Sequence, residues 1–391
     1  MYLRRSRTIV ALVASMALAA SCTSGSDDTG DWEPPPFSPS LSPDGPGSYV
    51  AGNTSVFLED PDRSLGCGEG NRVLLTELWY PAADDADDLP EDTVRGYFLG
   101  RWDEVVAAID GDPDAMLDLP TGSYRDAPIH PDAWNLPVVV FSHGFTSNRF
   151  QNYTLAAFLA GHGYVVVAPD HVCNAHVTLT EDAVVLGTDT NPYSALDARL
   201  ADLPFLLDQL QQSPPAPLAG RLDSEQIALW GHSWGAVSVT EVLKTDDRAR
   251  ALLQFAGFGF PPAAEGVELG TLSLWGQEDG IMAPFVDWHD EVLDQLPPPI
   301  YELEFVDTGH FAFSDLCRFV PALAEEDGCG TGERLGTGEA FTNLDPDQVH
   351  EVASAYAAAF LGAVLYDVPE LHAYLAENHF PERVDYTTEL P

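Results

Sequence analysis

Ser233 is the residue of this chain best placed to act as a nucleophile. It is the centre of Gly231–Gly235 (GHSWG), which follows the apolar run Ile227–Trp230 and precedes Ala236–Val239, a predicted helix start. A serine at a sharp turn between a buried strand and a helix has its hydroxyl exposed, so that it can attack a substrate. Glycines two residues before and after it let the strand and the helix approach closely. The pattern therefore predicts a nucleophile elbow with Ser233 at its tip.

An activated serine needs a base, and the base needs an acid that orients it. After Ser233 the strand-like run Leu272–Gly276 leads into Gln277–Gly280, which contains two carboxylates. A carboxylate just past the carboxyl end of a strand is in the right place for the acid. We predict that Asp279 has this role, and Glu278 is the alternative.

His310 is the predicted base. It lies in the loop that follows the strand-like run Tyr301–Val306, so the order along the chain is serine, acid, histidine. Four other histidines come after Asp279, and none of them directly follows a predicted strand: His289, His350, His372 and His379.

Two backbone N–H groups are predicted to form an oxyanion hole. One belongs to Trp234, the residue after the nucleophile, and the other to Phe145, in the loop after the buried strand Pro137–Phe141. His143 precedes the serine in the chain. We therefore expect His143 to hold this loop by hydrogen bonds rather than to act as a base.

Three segments carry a resemblance to a known family. Residues 137–171, the elbow at 231–235 and residues 307–317 resemble the platelet-activating-factor acetylhydrolase and dienelactone-hydrolase-like esterases of the α/β-hydrolase superfamily. The resemblance extends over residues 70–365. The same segments are also similar to bacterial cutinase-like polyester hydrolases, so the substrate is left open.

The resemblance implies an α/β-hydrolase fold, with a mostly parallel central sheet and helices on both faces. The alternation of strand-like and helical segments agrees with this architecture. One further helix is predicted over residues 101–109, where it could form a small cap over the mouth of the site. We expect a single catalytic domain over residues 49–391.

The N-terminus is predicted to be a targeting segment. Three arginines precede the apolar stretch Thr8–Ala20, and Ala19–Cys22 resembles a bacterial lipobox, in which the cysteine is acylated. We expect a lipoprotein signal peptide over residues 1–21, lipidation of Cys22 and a disordered tether over residues 22–48, rich in Pro, Ser, Gly and Asp. The alternative is an ordinary signal peptide cut near Ala19 or Ala20.

The cysteine count supports lipidation and predicts two disulfides. With Cys22 acylated, four of the five cysteines remain, an even number for an oxidising compartment. Cys317 and Cys329 lie shortly after His310 and close a short loop between them, which is geometrically easy. By elimination Cys67 pairs with Cys173.

The chain carries a formal charge of −45, from 62 acidic and 17 basic residues, and Lys244 is its only lysine. A negative net charge argues against nucleic-acid binding and against attraction to anionic lipid surfaces. Neutral or zwitterionic esters are the better substrates on this argument. We expect a monomer.

No cofactor and no metal are expected. One group of possible ligands, Asp170, His171, Cys173 and His176, follows the strand-like run Val165–Ala168, but its spacing matches no standard zinc pattern. A serine hydrolase needs neither.

These features together predict a serine carboxylic-ester hydrolase, lipid-anchored at the outer face of the cell-envelope membrane. Within this class the resemblance leaves two alternatives, an acetylhydrolase or lipase acting on short-acyl lipid or small neutral esters, and a cutinase-like polyester hydrolase. A surface-anchored binding protein without catalysis is a third alternative.

Overall fold

A ten-stranded sheet forms the centre of the protein. The computed structural model describes residues 37–109, 114–259, 268–319 and 327–391. In these ranges the strands are β1 (Val50–Ser64), β2 (Asn71–Ala82), β3 (Tyr124–Arg125), β4 (Leu136–Ser142), β5 (Val165–Pro169), β6 (Val177–Leu179), β7 (Val184–Leu186), β8 (Leu222–His232), β9 (Ala251–Phe255), β10 (Gly270–Gly276), β11 (Ile300–Phe305), β12 (Thr331–Glu333), β13 (Ala340–Thr342) and β14 (Val384–Glu389).

The α-helices are α1 (Trp102–Ala108), α2 (Asp114–Leu117), α3 (Tyr153–Gly161), α4 (Pro192–Gln212), α5 (Trp234–Val242), α6 (Val286–Leu293), α7 (Leu316–Phe319), α8 (Pro346–Tyr366) and α9 (Pro369–Leu375). Short 3₁₀ helices occupy Asp84–Asp88, Val94–Phe98, Ala283–Phe285 and His310–Phe313. The helix predicted over residues 101–109 is present as α1. Arg101, the residue before its first turn, donates a hydrogen bond of 2.7 Å from Nη1 to Thr180 O. Its role as a cap stays a prediction.

The main sheet has the strand order β14-β11-β10-β9-β8-β4-β5-β2-β1-β3. The six strands from β11 to β5 in this order pair in parallel, whereas β14, β2 and β1 pair with antiparallel neighbours at the two sides. Parallel strands place all their carboxyl ends at one edge. The loops that follow β4, β8, β10 and β11 therefore meet there, and these loops hold every predicted catalytic residue.

Helices cover both faces of the sheet. Along β4, Val139 and Phe141 belong to one apolar cluster, and Val138 and Val140 belong to another. The first cluster contains α3 and α8, and the second contains the buried faces of α4 and α5. Strands buried on both sides have continuous apolar sequences, which is why these runs could be recognised. The predicted α/β-hydrolase architecture is confirmed.

Helix α8 is apolar on nearly all sides. Among the described residues it alone is long and apolar enough to cross a membrane, but 83% of the apolar stretch is buried inside the protein. A helix that is apolar all round is suited to the core of a large domain. Its burial agrees with that role.

The packed part of the chain begins before Tyr49. Phe37, which the sequence assigns to the tether, places its ring 5.6 Å from that of Tyr164 and 4.9 Å from that of Tyr366. Burial of an aromatic ring outweighs the loop-like composition around it. Residues 1–36, with the predicted signal segment and Cys22, lie outside the described residues.

Candidate active site

Ser233 lies at the tip of a tight turn between β8 and α5, with φ +55° and ψ −123°. A Cβ added to Gly231 would lie 2.3 Å from the carbonyl carbon of Gly235, and one added to Gly235 would lie 1.9 Å from Ser142 O. Neither position can therefore take a larger residue without movement of the backbone. The geometry is that of a nucleophile elbow, with the strained serine backbone typical of it.

Asp279 and His310 are brought together by the loops after β10 and β11. Asp279 Oδ2 lies 2.8 Å from His310 Nδ1, and each residue is only 1% exposed. The other oxygen, Oδ1, accepts hydrogen bonds from the N–H groups of Ile281 and Met282, at 3.0 and 2.8 Å. Because Oδ1 is held in this way, Oδ2 is aimed at the imidazole.

Glu278, the alternative acid, points elsewhere. Its Oε1 pairs with Arg334 Nη1 at 2.9 Å, and its Oε2 accepts from Leu335 N–H at 2.6 Å. Arg334 and Leu335 lie in the connection between β12 and β13. Glu278 therefore holds that hairpin against the acid loop, and the geometry favours Asp279 as the partner of His310.

The four other C-terminal histidines lie at different places. His289 lies on α6 against Ser273, and His350 is buried on α8. His372 pairs with Asp367, and His379 stacks on a neighbouring tyrosine ring.

The loop that carries Phe145 abuts the nucleophile. A Cβ added to Gly144 would lie 3.6 Å from Ser233 Cβ. The rings of Phe145 and Trp234 face each other edge-on, with their centroids 6.5 Å apart. The two residues predicted to donate to an oxyanion are thus neighbours beside Ser233. Their donor roles stay predictions.

A chain of hydrogen bonds joins this loop to the histidine loop. Gln151 Oε1 accepts from Gly144 N–H, and Gln151 Nε2 donates to His232 Nδ1, both at 2.7 Å. His232 Nε2 then donates to the backbone oxygen of His310 at 3.1 Å. Burial, and then the nearby His310, lower the pKa of His232 to about 3, so His232 stays neutral and keeps this pattern.

Sequence reasoning missed this relay. His232 occupies one of the two variable positions of the elbow motif. Gln151 lies 81 residues away from His232 and belongs to no motif. Gln151 lies in a polar segment before α3, so its type does not stand out from its neighbours in the sequence.

Asp327 is a second carboxylate near Asp279 and His310. Its side chain accepts from the N–H groups of His310 and Ile281, at 2.8 and 3.1 Å, and its backbone oxygen accepts from Phe311 N–H. Burial raises the pKa of Asp327, and so does the negative charge of Asp279. The Cys317–Cys329 disulfide closes this segment against the histidine loop, and the second predicted pair, Cys67–Cys173, is also bonded.

A buried Ser–His–Asp arrangement lies behind the loop that carries Phe145. Ser142 Oγ is 2.9 Å from His171 Nε2, and His171 Nδ1 is 2.9 Å from Asp202 Oδ2. All three residues are 0% exposed, and Arg72 also pairs with Asp202. Burial, and then the charge of Arg199, lower the pKa of His171 to about 4. With no access to substrate, this group can only position the loop.

His143 and the cluster after β5 belong to the same buried region. His143 Nε2 accepts from His171 N–H at 3.1 Å, as expected of a residue that holds its loop. Asp170 pairs with Arg149 at 2.9 Å, and Cys173 is in a disulfide. Their donor atoms are therefore already used, and His176 of this group is exposed.

A small cavity lies beside the nucleophile. It is lined by Gly257, Phe258, Trp275 and Met282, among others. A Cβ added to Gly257 would lie 2.5 Å from Ser233 O, which places the cavity next to the reacting residue. This contact is with the backbone of Ser233, so the cavity adjoins the turn that carries the serine.

Comparison with known proteins gives related esterases. The sequence model of the family "Platelet-activating factor acetylhydrolase, isoform II" matches residues 43–184. Platelet-activating factor acetylhydrolase of Bos taurus is 24% identical over 275 residues, covering 57% of this chain and 56% of that protein. A probable 1-alkyl-2-acetylglycerophosphocholine esterase of Arthroderma benhamiae is 30% identical over 149 residues, covering 36% of this chain and 35% of that protein.

The chain thus spans about half the length of the bovine relative and about a third of the fungal one. A solved structure, the ferulic acid esterase from Streptomyces cinnamoneus, superposes with a TM-score of 0.66 at 26% identity. That match covers 88% of this chain and 98% of the esterase.

Proposed function

Because the chain belongs to the esterases of the α/β-hydrolase superfamily, we propose that it is a serine carboxylic-ester hydrolase of the platelet-activating-factor acetylhydrolase type. It cleaves short-acyl lipid or small neutral esters through an acyl-enzyme. The observation that carries the proposal is the pairing of His310 with Asp279 at 2.8 Å, with His310 bonded through its backbone oxygen to His232, the residue before the elbow serine.

The proposed reaction uses the groups of this site in order. His310 Nε2 takes the proton of Ser233 Oγ while that oxygen attacks the ester carbonyl. Asp279 holds the Nδ1–H of His310, so that Nε2 keeps its lone pair for the serine. The N–H groups of Phe145 and Trp234 stabilise the oxyanion. His310 then protonates the leaving alcohol, and water, activated by His310, releases the acyl group.

The surroundings of the site support short-acyl lipid esters. The cavity beside Ser233 is bounded by Phe258, Trp275 and Met282, which favours a short acyl group. Ile281, 44% exposed, and Trp288, 51% exposed, follow closely on the acid loop and offer apolar surface to a lipid. The charge of −45 favours a neutral or zwitterionic head group.

A fluorophosphonate probe and p-nitrophenyl acetate test the proposal. We expect the label on Ser233 and not on the buried Ser142, and we expect Ser233→Ala to lose roughly 10³–10⁶-fold in kcat while keeping its circular dichroism spectrum. A folded Ser233→Ala variant with more than a tenth of wild-type activity would contradict the assignment. An unlabelled wild type would favour a non-catalytic binding protein.

A substrate series tests the finer proposal. With p-nitrophenyl esters from acetyl to palmitoyl, we expect kcat/KM to be highest for acetyl and to fall with chain length. A phospholipid with an acetyl group at its second position should be cleaved, and a polyester film should not. Equal rates on palmitoyl esters or hydrolysis of the film would refute the short-acyl preference.

We further propose that the protein is anchored in the cell envelope through Cys22. The basic and apolar N-terminal segment supports export. The two disulfides also support an oxidising compartment, and they leave Cys22 as the fifth cysteine, available for acylation.

A further inference from the structure

Three side chains of types that can bind a metal lie together, and one of them, His289, lines the cavity beside Ser233. His289 and Asp290 are on α6, and Glu302 is on β11, the strand that leads to the histidine loop. One ligand atom from each residue lies within 4.8 Å of the others. No motif spacing marks this group, because its members lie on a helix and a strand that are separate in the chain.

The imidazole of His289 is buried and has an unused nitrogen. The residue is only 3% exposed. Its Nε2 lies 3.0 Å from Ser273 Oγ, whereas its Nδ1 makes no hydrogen bond within the described part of the chain. Nδ1 faces Glu302 Oε1 at 3.5 Å and Asp290 Oδ1 at 3.6 Å. A buried polar atom without a hydrogen bond is costly, and a cation bound between Nδ1 and the two carboxylates would remove that cost.

The group is held in position by further hydrogen bonds. Ser273 fixes the far side of the imidazole, and Thr387 Oγ1 donates to Glu302 Oε2 at 2.9 Å, which leaves Oε1 directed at His289. Such partners, behind the ligands, are typical of metal sites. Glu304 lies two residues further along the same face of β11, opposite Asp385, and adds negative charge nearby.

The distances suit a small tetrahedral ion. Ligand atoms about 2.1 Å from zinc at tetrahedral angles are about 3.4 Å apart, close to the two separations that Nδ1 makes. Imidazole together with carboxylates suits a borderline ion such as Zn²⁺. We propose that His289, Asp290 and Glu302 bind one Zn²⁺ ion, with water in the fourth position. The ion ties α6 to β11 and so fixes the two loops that carry Asp279 and His310.

Isothermal titration of the full-length protein, cleared of metal by a chelator, tests the site. The titration uses ZnCl₂ with excess Mg²⁺ at high salt, which screens non-specific attraction to the acidic surface. We expect one Zn²⁺ per chain and a higher melting temperature with zinc. Asp290→Asn should weaken binding by at least about 10–100-fold, and so should Ser273→Ala, since outer partners alone contribute that much.

The control is Glu291→Gln, which removes an exposed carboxylate from the next position of α6. It should bind zinc like the wild type, whereas His289→Gln should not bind it. Asp290 is an exposed side chain, so its variant should fold normally even if His289→Gln does not. Absence of saturable binding in the wild type, or equal binding by wild type and Asp290→Asn, overturns the proposal. Neither result depends on the esterase activity.

Discussion

Asp279→Asn is the substitution that most directly tests the geometry of the site. Asp279 Oδ1 accepts from the N–H groups of Ile281 and Met282, so an asparagine must place its carbonyl oxygen at that position. Its NH₂ group then faces His310 Nδ1. Two donors cannot face each other, and His310 is driven into the tautomer with its hydrogen on Nε2. In that tautomer it cannot accept the proton of Ser233.

The size of the effect follows from this tautomer change. Where the same substitution leaves the geometry of a triad intact, kcat falls by about 10⁴-fold. That factor corresponds to about 5.4 kcal/mol of transition-state stabilisation. The fold should survive, because the asparagine keeps both backbone hydrogen bonds. The carboxylate of Asp327 binds backbone N–H groups instead of the imidazole and cannot take over the role.

The assay is kcat/KM on p-nitrophenyl acetate, with thermal unfolding followed by circular dichroism. Glu278→Gln is the matched control, because Glu278 pairs with the half-exposed Arg334 and should affect activity only a few-fold. If folded Asp279→Asn keeps more than a tenth of the wild-type activity, or if Glu278→Gln loses more than Asp279→Asn, the assignment of the acid is wrong.

Three further predictions follow from features away from the triad. Gln151→Leu should lower kcat with little change in KM, measured by steady-state kinetics. It should also cost about 1–3 kcal/mol of stability for each buried group left unpaired, measured by urea unfolding. A change confined to KM would count against the relay. Cys22→Ala should move the protein from the membrane fraction to the soluble fraction with its esterase activity retained; a variant that stays acylated and membrane-bound would reject the lipobox. Cys317→Ser should lower the free energy of unfolding by about 3 kcal/mol, the chain-entropy value for a short loop. Non-reducing peptide mapping that finds Cys317 linked to another cysteine would contradict its pairing with Cys329.

The residues that could be predicted from sequence are those that directly follow a strand. Ser233, Asp279 and His310 each come within a few residues of an apolar run that is buried on both faces, and such runs are visible without a structure. The common edge of a parallel sheet then places the loops that carry them at one side of the fold, where Asp279 meets His310. Local pattern and fold class were sufficient to predict these positions, whereas the catalytic roles stay predictions.

The residues that were missed depend on contacts between distant segments. Gln151 owes its role to hydrogen bonds with Gly144 and His232. The hydrogen-bond partners of Asp202 lie more than 30 residues away in the chain. Nothing in their neighbourhoods marks them, because a buried polar network is satisfied in three dimensions and not along the chain. Phe37 was assigned to the tether for a similar reason, since its aromatic partners lie more than 100 residues away.

The buried histidines make the stability of the fold depend on pH. Burial lowers the pKa of His143 well below its usual value, and it lowers those of His171 and His232 to about 4 and about 3. Their pKa in the unfolded chain is about 6.5. Above that value both states are neutral. As the pH falls below it, only the unfolded chain takes up protons at these positions, so each histidine removes about 1.4 kcal/mol of stability per pH unit. The burial of the histidines that hold the loops after β4 and β11 thus sets an acid limit to folding.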